Sequence, residues 1–259
     1  MAKWIEICGT NGVGKSTIVD NLKKIRKKDS IWTISDYLYP RLKISRTSLK
    51  GYVLSSYRYY FKDYIDPAPL REARFRMIEN NKEFIDLFLN ILINDKKFAY
   101  NNTDFRFENI SYFSRVVERV QYIKEAASDK FVILDEGFLH HIGRLVNKHD
   151  HTKDEKEDLS RILNITPLPD AIIYLDLEVN ENAKRLINRN KNPKMLKTLQ
   201  YHEIMDFLIL SRKRRRIIND ILSQRGIPIL YLDTSNNQAD NLNLINAFID
   251  DLKRNDTAI

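Results

Sequence analysis

A three-layer α/β fold, with helices packed on a parallel sheet, is what this 259-residue sequence predicts. Three observations predict it. Short continuous apolar runs, Phe131-Val132-Ile133-Leu134 and Ala171-Ile172-Ile173-Tyr174-Leu175, have the pattern of strands buried on both faces. Segments with helical spacing separate such runs, and that alternation gives right-handed βαβ units. A glycine-rich octapeptide, Gly9-Thr10-Asn11-Gly12-Val13-Gly14-Lys15-Ser16, stands between the first strand and the first helix.

The elements follow in chain order. Lys3 to Cys8 reads as a buried strand. Lys15 to Arg26 places Ile18, Val19, Leu22 and Ile25 on one helical face. Ile31-Trp32-Thr33-Ile34 is a candidate second strand. Met77, Phe84, Phe88 and Ile91 share one face of a long helical segment, and Ile110, Phe113, Val117, Val120 and Ile123 share one face of the next. The strand at 131–134 leads into a further helix. Pro167 and Pro169 precede the strand at 171–175. Helices are expected over 179–189, 193–224 and 238–253. Arg225-Gly226 ends one of them and leads into the last apolar run, Pro228-Ile229-Leu230-Tyr231-Leu232. The stretch from Asp36 to Ser128 reads as a mostly helical insertion without a sheet of its own, within one domain covering 1–259. No internal repeat or low-complexity linker is apparent.

Composition narrows the class. The chain is 43% hydrophobic and 30% charged, which supports a buried core and argues against wholesale disorder. Its few glycines and prolines argue against a turn-rich all-β protein. The lone cysteine, Cys8, excludes an internal disulfide and reads as a core residue at the end of an apolar run. No segment reads as a signal peptide or a membrane span, so a cytoplasmic location is expected. The net charge of +8 suits nucleic acid, an anionic membrane surface or a phosphorylated small molecule, and equally a plain solvated surface.

The octapeptide has the Gly-x-x-x-x-Gly-Lys-Ser spacing of a Walker A loop. Its glycines let successive backbone N–H groups converge on phosphate oxygens, and the helix that follows adds the positive end of its dipole. Lys15 then reaches the β- and γ-phosphates, Ser16 is placed to coordinate Mg²⁺, and Thr17 is a contact to the α-phosphate. The expected cofactors are ATP and Mg²⁺. A second constellation, Asp135-Glu136-Gly137, stands at the carboxyl end of the strand at 131–134, where ligands of open parallel sheets bind. One carboxylate there can hold Mg²⁺ and the other can take a proton from an attacking hydroxyl. Asp135 is the better candidate for facing the phosphates, and Glu136 the second. Gly137 would let the chain leave the strand sharply. His140 and His141 read as packing or surface residues, and Arg144 as a candidate contact to an anionic substrate.

These residues resemble the thymidylate kinase-like branch of the P-loop nucleoside and nucleotide kinases. Residues 5–17 are similar to that family's first strand and loop, 169–177 to its fourth strand, and 226–234 to its last strand and adenine-side loop. The resemblance implies a P-loop NTPase fold with a five-stranded parallel sheet, a helical insertion at about 37–128 and a helical lid at about 185–200. It also implies ATP-dependent phosphorylation of a small acceptor, with Arg185 and Arg189 starting the lid and neutralising charge on the transferred phosphoryl group. One departure is visible: the family's Asp-Arg after the third strand is Asp135-Glu136 here. An acid in that place makes a monophosphate acceptor less comfortable. A nucleotide, a nucleoside, a sugar and a lipid-linked glycan therefore stay open as acceptors.

Basic segments complete the reading. Tyr37 to Lys62 interleaves arginines and lysines with tyrosines, which suits stacking and phosphate pairing, or equally a helical cap with solvated cations. Arg115 and Arg119, one helical turn apart, are candidate substrate-binding residues. Arg212-Lys213-Arg214-Arg215-Arg216 reads by default as a solvated face, with an anionic surface as the sharper alternative. The expected partner is a small-molecule acceptor. Nucleic acid is not favoured, and peripheral membrane contact and a homodimer stay open. The rival functions are a nucleotide-dependent switch or ATPase without an acceptor, and a nucleic-acid-end kinase.

Overall fold

The structure, a computed structural model, describes residues 3–25, 31–33, 68–94, 99–100, 103–125, 131–146, 154–189 and 199–257. Its strands are β1 (Lys3–Gly9), β2 (Ile31–Thr33), β3 (Ala99–Tyr100), β4 (Thr103–Asp104), β5 (Phe131–Asp135), β6 (Ala171–Asp176) and β7 (Ile229–Asp233). Its helices are α1 (Lys15–Ile25), α2 (Ala68–Asn80), α3 (Lys82–Asn94), α4 (Arg106–Glu125), α5 (Phe138–Leu145), α6 (Glu155–Ile165), α7 (Val179–Ile187), α8 (Tyr201–Gln224) and α9 (Gln238–Thr257). The chain divides into two compact units, Met1–Lys3 with Ile31–Val132, and Trp4–Ser30 with Ile133–Ile259.

The main sheet has the order β2-β5-β1-β6-β7. β6 pairs in parallel with both β1 and β7, with Ile5 opposite Ala171 and Asp176 opposite Asp233. Four strands of five to seven residues carry this sheet. β2 adds only three residues at its edge, so five full strands, as the family resemblance implied, are not what forms. β5 and β6 are buried on both faces, as their continuous apolar runs predict. β7 is not: it is the other edge strand, and Tyr231 is 54% exposed.

In the second unit the β1 entry is fixed by a reciprocal clamp. The Trp4 N–H donates to the Asp170 carboxylate at 2.9 Å, and the Asp170 N–H donates to the Trp4 carbonyl at 3.0 Å. Helix α6, which the apolar spacing did not reveal, starts at Asp154, whose side chain accepts from the Lys156 N–H at 2.9 Å. Its first turn is acidic, as the helix dipole favours. Helix α8 starts where Glu203 reaches back to the Gln200 N–H at 2.7 Å. Ala183 and Leu186 of α7 pack on Ile204 and Leu208 of α8.

The first unit is helical around Phe84, Phe88 and Phe113, the last two stacked with ring centroids 3.5 Å apart. Its long helical segment is two helices, broken at Asn81, whose side-chain amide donates to the Met77 carbonyl at 3.1 Å. It also carries a small antiparallel pair, β3 with β4, although a sheet-free insertion was expected. The Tyr37 to Lys62 segment and lid residues 190–198 lie outside the described residues.

Candidate active site

The phosphate loop forms where the sequence places it. β1 runs to Gly9 and α1 opens at Lys15. Gly9, Gly12 and Gly14 have φ of 152°, 84° and 104°, a region that residues with a Cβ rarely adopt. The Lys15 ammonium curls back over the loop and donates to the Gly9 and Thr10 carbonyls, each at 3.1 Å. Burial, and next the charge of Arg215, lower its pKa to about 8, against the pull of Glu136 and Asp135. Ser16 and Thr17 are exposed on the first turn of α1. The loop therefore carries backbone N–H donors with the Lys15 ammonium over them, an arrangement suited to a polyanion.

Asp135 ends β5 as predicted, and Glu136 follows it. Asp135 Oδ1 is buried and accepts no hydrogen bond among the described residues. Burial raises its carboxyl above the usual range, while Lys15, Lys23 and Arg189 pull it down. A bare buried carboxylate oxygen is costly unless something is to fill it. An oxygen-seeking cation fits here, with Asp135 and the exposed Ser16 hydroxyl as its protein donors. Among the described residues no group of three or more His, Cys, Asp or Glu side chains forms a cage.

Sequence reasoning missed the residue that organises this strand end. Glu6, in the middle of β1, is 1% exposed. Its Oε1 accepts from the Gly137 and His140 N–H groups at 3.1 Å each, and its Oε2 accepts from the Leu139 N–H at 3.3 Å. A carboxylate thus caps the start of α5 from a neighbouring strand. Burial still wins, and pushes the Glu6 carboxyl up to about 7. The same contact explains Gly137. Its φ of −98° is open to any residue, so it does not provide the sharp exit that was expected of it. A Cβ there would lie 2.6 Å from the Glu6 carboxyl carbon. The strained turn is instead Glu136, the non-glycine with φ of 83° among the described residues. A charged residue inside the run Trp4-Ile5-Glu6-Ile7-Cys8 was the signal for Glu6. Cys8 is buried as expected, and its thiol donates to Glu6 Oε1 at 3.7 Å.

The basic run of α8 is only partly a solvated face: Lys213 and Arg216 are exposed, but Arg214 and Arg215 are buried. Arg212 grips Asp176 with both ends of its guanidinium, at 2.7 and 2.6 Å, and Arg216 adds a bond at 3.1 Å. Burial would raise the Asp176 carboxyl, but the two guanidiniums outweigh it and hold it low. Lys213 and Arg214 pair with Glu155. Arg215 is buried, with Nη2 3.3 Å from His140 Nδ1. The packing reading of the histidines holds, since both are buried, with rings edge to face at 5.5 Å. Periodicity could have found Arg215, because it lies at i+7 from Leu208 on the apolar stripe of α8.

The remaining candidates divide. Arg189 lies within electrostatic reach of Asp135. Arg185 pairs with Glu181 at 2.5 Å and donates to the Thr234 carbonyl at 3.4 Å, so it faces the loop after β7. Arg115 and Arg119 belong to α4 in the first unit, where the Arg115 guanidinium stands 5.4 Å over the Tyr112 ring. The Arg144 side chain lies outside the described residues.

Comparison with solved structures bears on this architecture. The structure of deoxyadenosine kinase from M. mycoides with bound dATP is similar at 15% identity, covering 96% of this chain and 99% of that one, with a TM-score of 0.50. The two share their fold. The thymidylate kinase of Candida albicans is similar at 16% identity over 97% of this chain and 92% of that one, with a TM-score of 0.49. No family model matches the chain, and no curated protein does. At 15% identity the likeness is one of fold. No described helix is long and apolar enough to cross a membrane.

Proposed function

We propose that this protein is an ATP- and Mg²⁺-dependent phosphotransferase whose acceptor is a nucleoside or nucleotide. The observation that carries the reading is the Asp135 carboxylate, bare on one oxygen and electrostatically linked to Lys15 at the head of a glycine-rich loop. The dATP bound by the similar M. mycoides enzyme supports a nucleotide in that loop. A cytoplasmic setting, where ATP is available, fits the same reading.

The chemistry would run as follows. Backbone N–H groups of the loop and the Lys15 ammonium bind the β- and γ-phosphates. A magnesium ion held by Ser16 and Asp135 would supply further neutralisation of the phosphate charge. The acceptor hydroxyl oxygen forms a bond to the γ-phosphorus as the bond to the β–γ bridging oxygen breaks, and ADP leaves. The hydroxyl proton passes to whichever of Asp135 and Glu136 does not hold the cation. Arg189 faces the transferred group, and Arg185 the base side of the nucleotide. Arg144 is a proposed contact to the acceptor, and Arg115 and Arg119 remain proposed substrate-binding residues of the first unit. Positioning and electrostatics supply most of the rate in such a scheme.

The test is ATP turnover with Mg²⁺ over a panel of nucleosides, nucleoside monophosphates and sugars, with products read by mass. One added phosphoryl mass on a nucleoside or nucleotide is the expected result, together with its loss in Lys15→Ala. Phosphorylation of a sugar alone would overturn the acceptor class. ATP binding without any acceptor product would overturn the transferase reading in favour of a nucleotide-dependent switch.

A further inference from the structure

We propose that Asn182 is a positioning residue that latches helix α7 to the phosphate loop and sets the loop's shape for a triphosphate. The proposal rests on the nucleotide-binding reading above. Asn182 is 1% exposed and lies on the stripe of α7 that also carries Val179, Ala183 and Leu186. Its Nδ2 donates to Thr10 Oγ1 at 2.6 Å. Its Oδ1 stands against Gly12, where an added Cβ would come within 2.9 Å of it and within 3.3 Å of Leu186 Cδ1. One helix therefore touches the loop at both Thr10 and Gly12.

Packing alone does not call for an amide here. The neighbours on α7 are apolar, and burying a primary amide costs free energy unless its polar atoms are paired. Oδ1 is buried with no hydrogen-bond partner among the described residues, so the side chain gains little for the core. What it adds is a directional bond to the loop hydroxyl. Arg189, whose charge reaches Asp135, follows the C-cap residue of α7 directly. Asn182 links α7 to the loop that would hold the phosphates.

Amide hydrogen exchange of the full ligand-free chain reads the latch without ATP. Asn182→Ala should speed exchange at residues 10–14 by about tenfold, while amides of β7 and α9 keep their rates. Thr10→Val removes the acceptor but keeps the branched shape, and should act alike; it alone decides if Asn182→Ala fails to fold. The double variant should be no faster than either single one. Titration of the same proteins with Mg-ATP should show binding about five- to tenfold weaker in each single variant, with no added loss in the double. Unchanged loop exchange, acceleration spread uniformly through β7 and α9, or losses that multiply would each overturn the latch. Failure of the wild type to bind ATP would overturn the nucleotide reading instead, and the exchange cycle would still decide the role of Asn182.

Discussion

Replacing Glu6 by glutamine separates the charge of this residue from its shape. Glu6 is buried against three backbone N–H groups and lies within reach of the Arg215 charge, yet burial dominates and takes its carboxyl from 4.5 to about 7. The folded chain therefore holds this proton more tightly than the unfolded chain between those values. The stability it contributes is fully present below about 4.5 and is lost as pH rises through about 7. The interval corresponds to about 3 kcal/mol. Glutamine has no proton to lose, so the stability of wild type relative to Glu6→Gln should fall by that amount between pH 4.5 and 8. A constant cost lies on top, about 1–3 kcal/mol, because the amide N–H₂ cannot accept from the Gly137, Leu139 or His140 N–H groups. For a chain of this length, 3 kcal/mol is about 6–12 °C in midpoint. Thermal unfolding of both proteins at pH 5, 6, 7 and 8 gives the difference, and subtraction removes the other titrating groups. Curves that stay parallel within about 1 °C would refute the reasoning, for they would mean that Glu6 does not change charge in the native state.

Three further outcomes are expected. Because burial lowers Lys15 to about 8, phosphate binding above that pH must draw in a proton, so ATP affinity should decline as pH rises through 8; calorimetry in buffers of unlike ionisation enthalpy should detect the uptake, and zero uptake at pH 8.5 would count against it. Gly12→Ala puts a Cβ at φ of 84° and 2.9 Å from Asn182 Oδ1, and should weaken ATP binding at least tenfold while the midpoint drops only about 2–8 °C. Glu136→Gly relieves the strained φ of 83° and should raise stability by about 0.5–1 kcal/mol while lowering kcat; a lower midpoint would remove the strain argument.

How far the sequence reached can be read from particular residues. The octapeptide at 9–16 and the acid at 135 were legible because each is a local pattern with a required neighbour: a strand before a glycine loop, a carboxylate after an apolar run. The arginine run was only half legible, for the opposite reason. A run of like charges looks solvated in one dimension, and its partners, Asp176 and Glu155, lie 36 and 59 residues from the arginines that grip them. Gly137 was assigned a conformational task, yet it is glycine because Glu6, 131 residues earlier, occupies the space of its side chain.

By itself the sequence determined the α/β class, the place of the phosphate loop and the acid at the end of β5, because period and motif act over a few neighbouring residues. Only the tertiary structure decided that Glu6 caps α5, that Arg215 is buried beside His140, and that Asn182 bonds to Thr10. Each of those is a pairing between a polar group and the one place in the folded chain that leaves it without water, and burial of that kind does not exist until the strands and helices have packed.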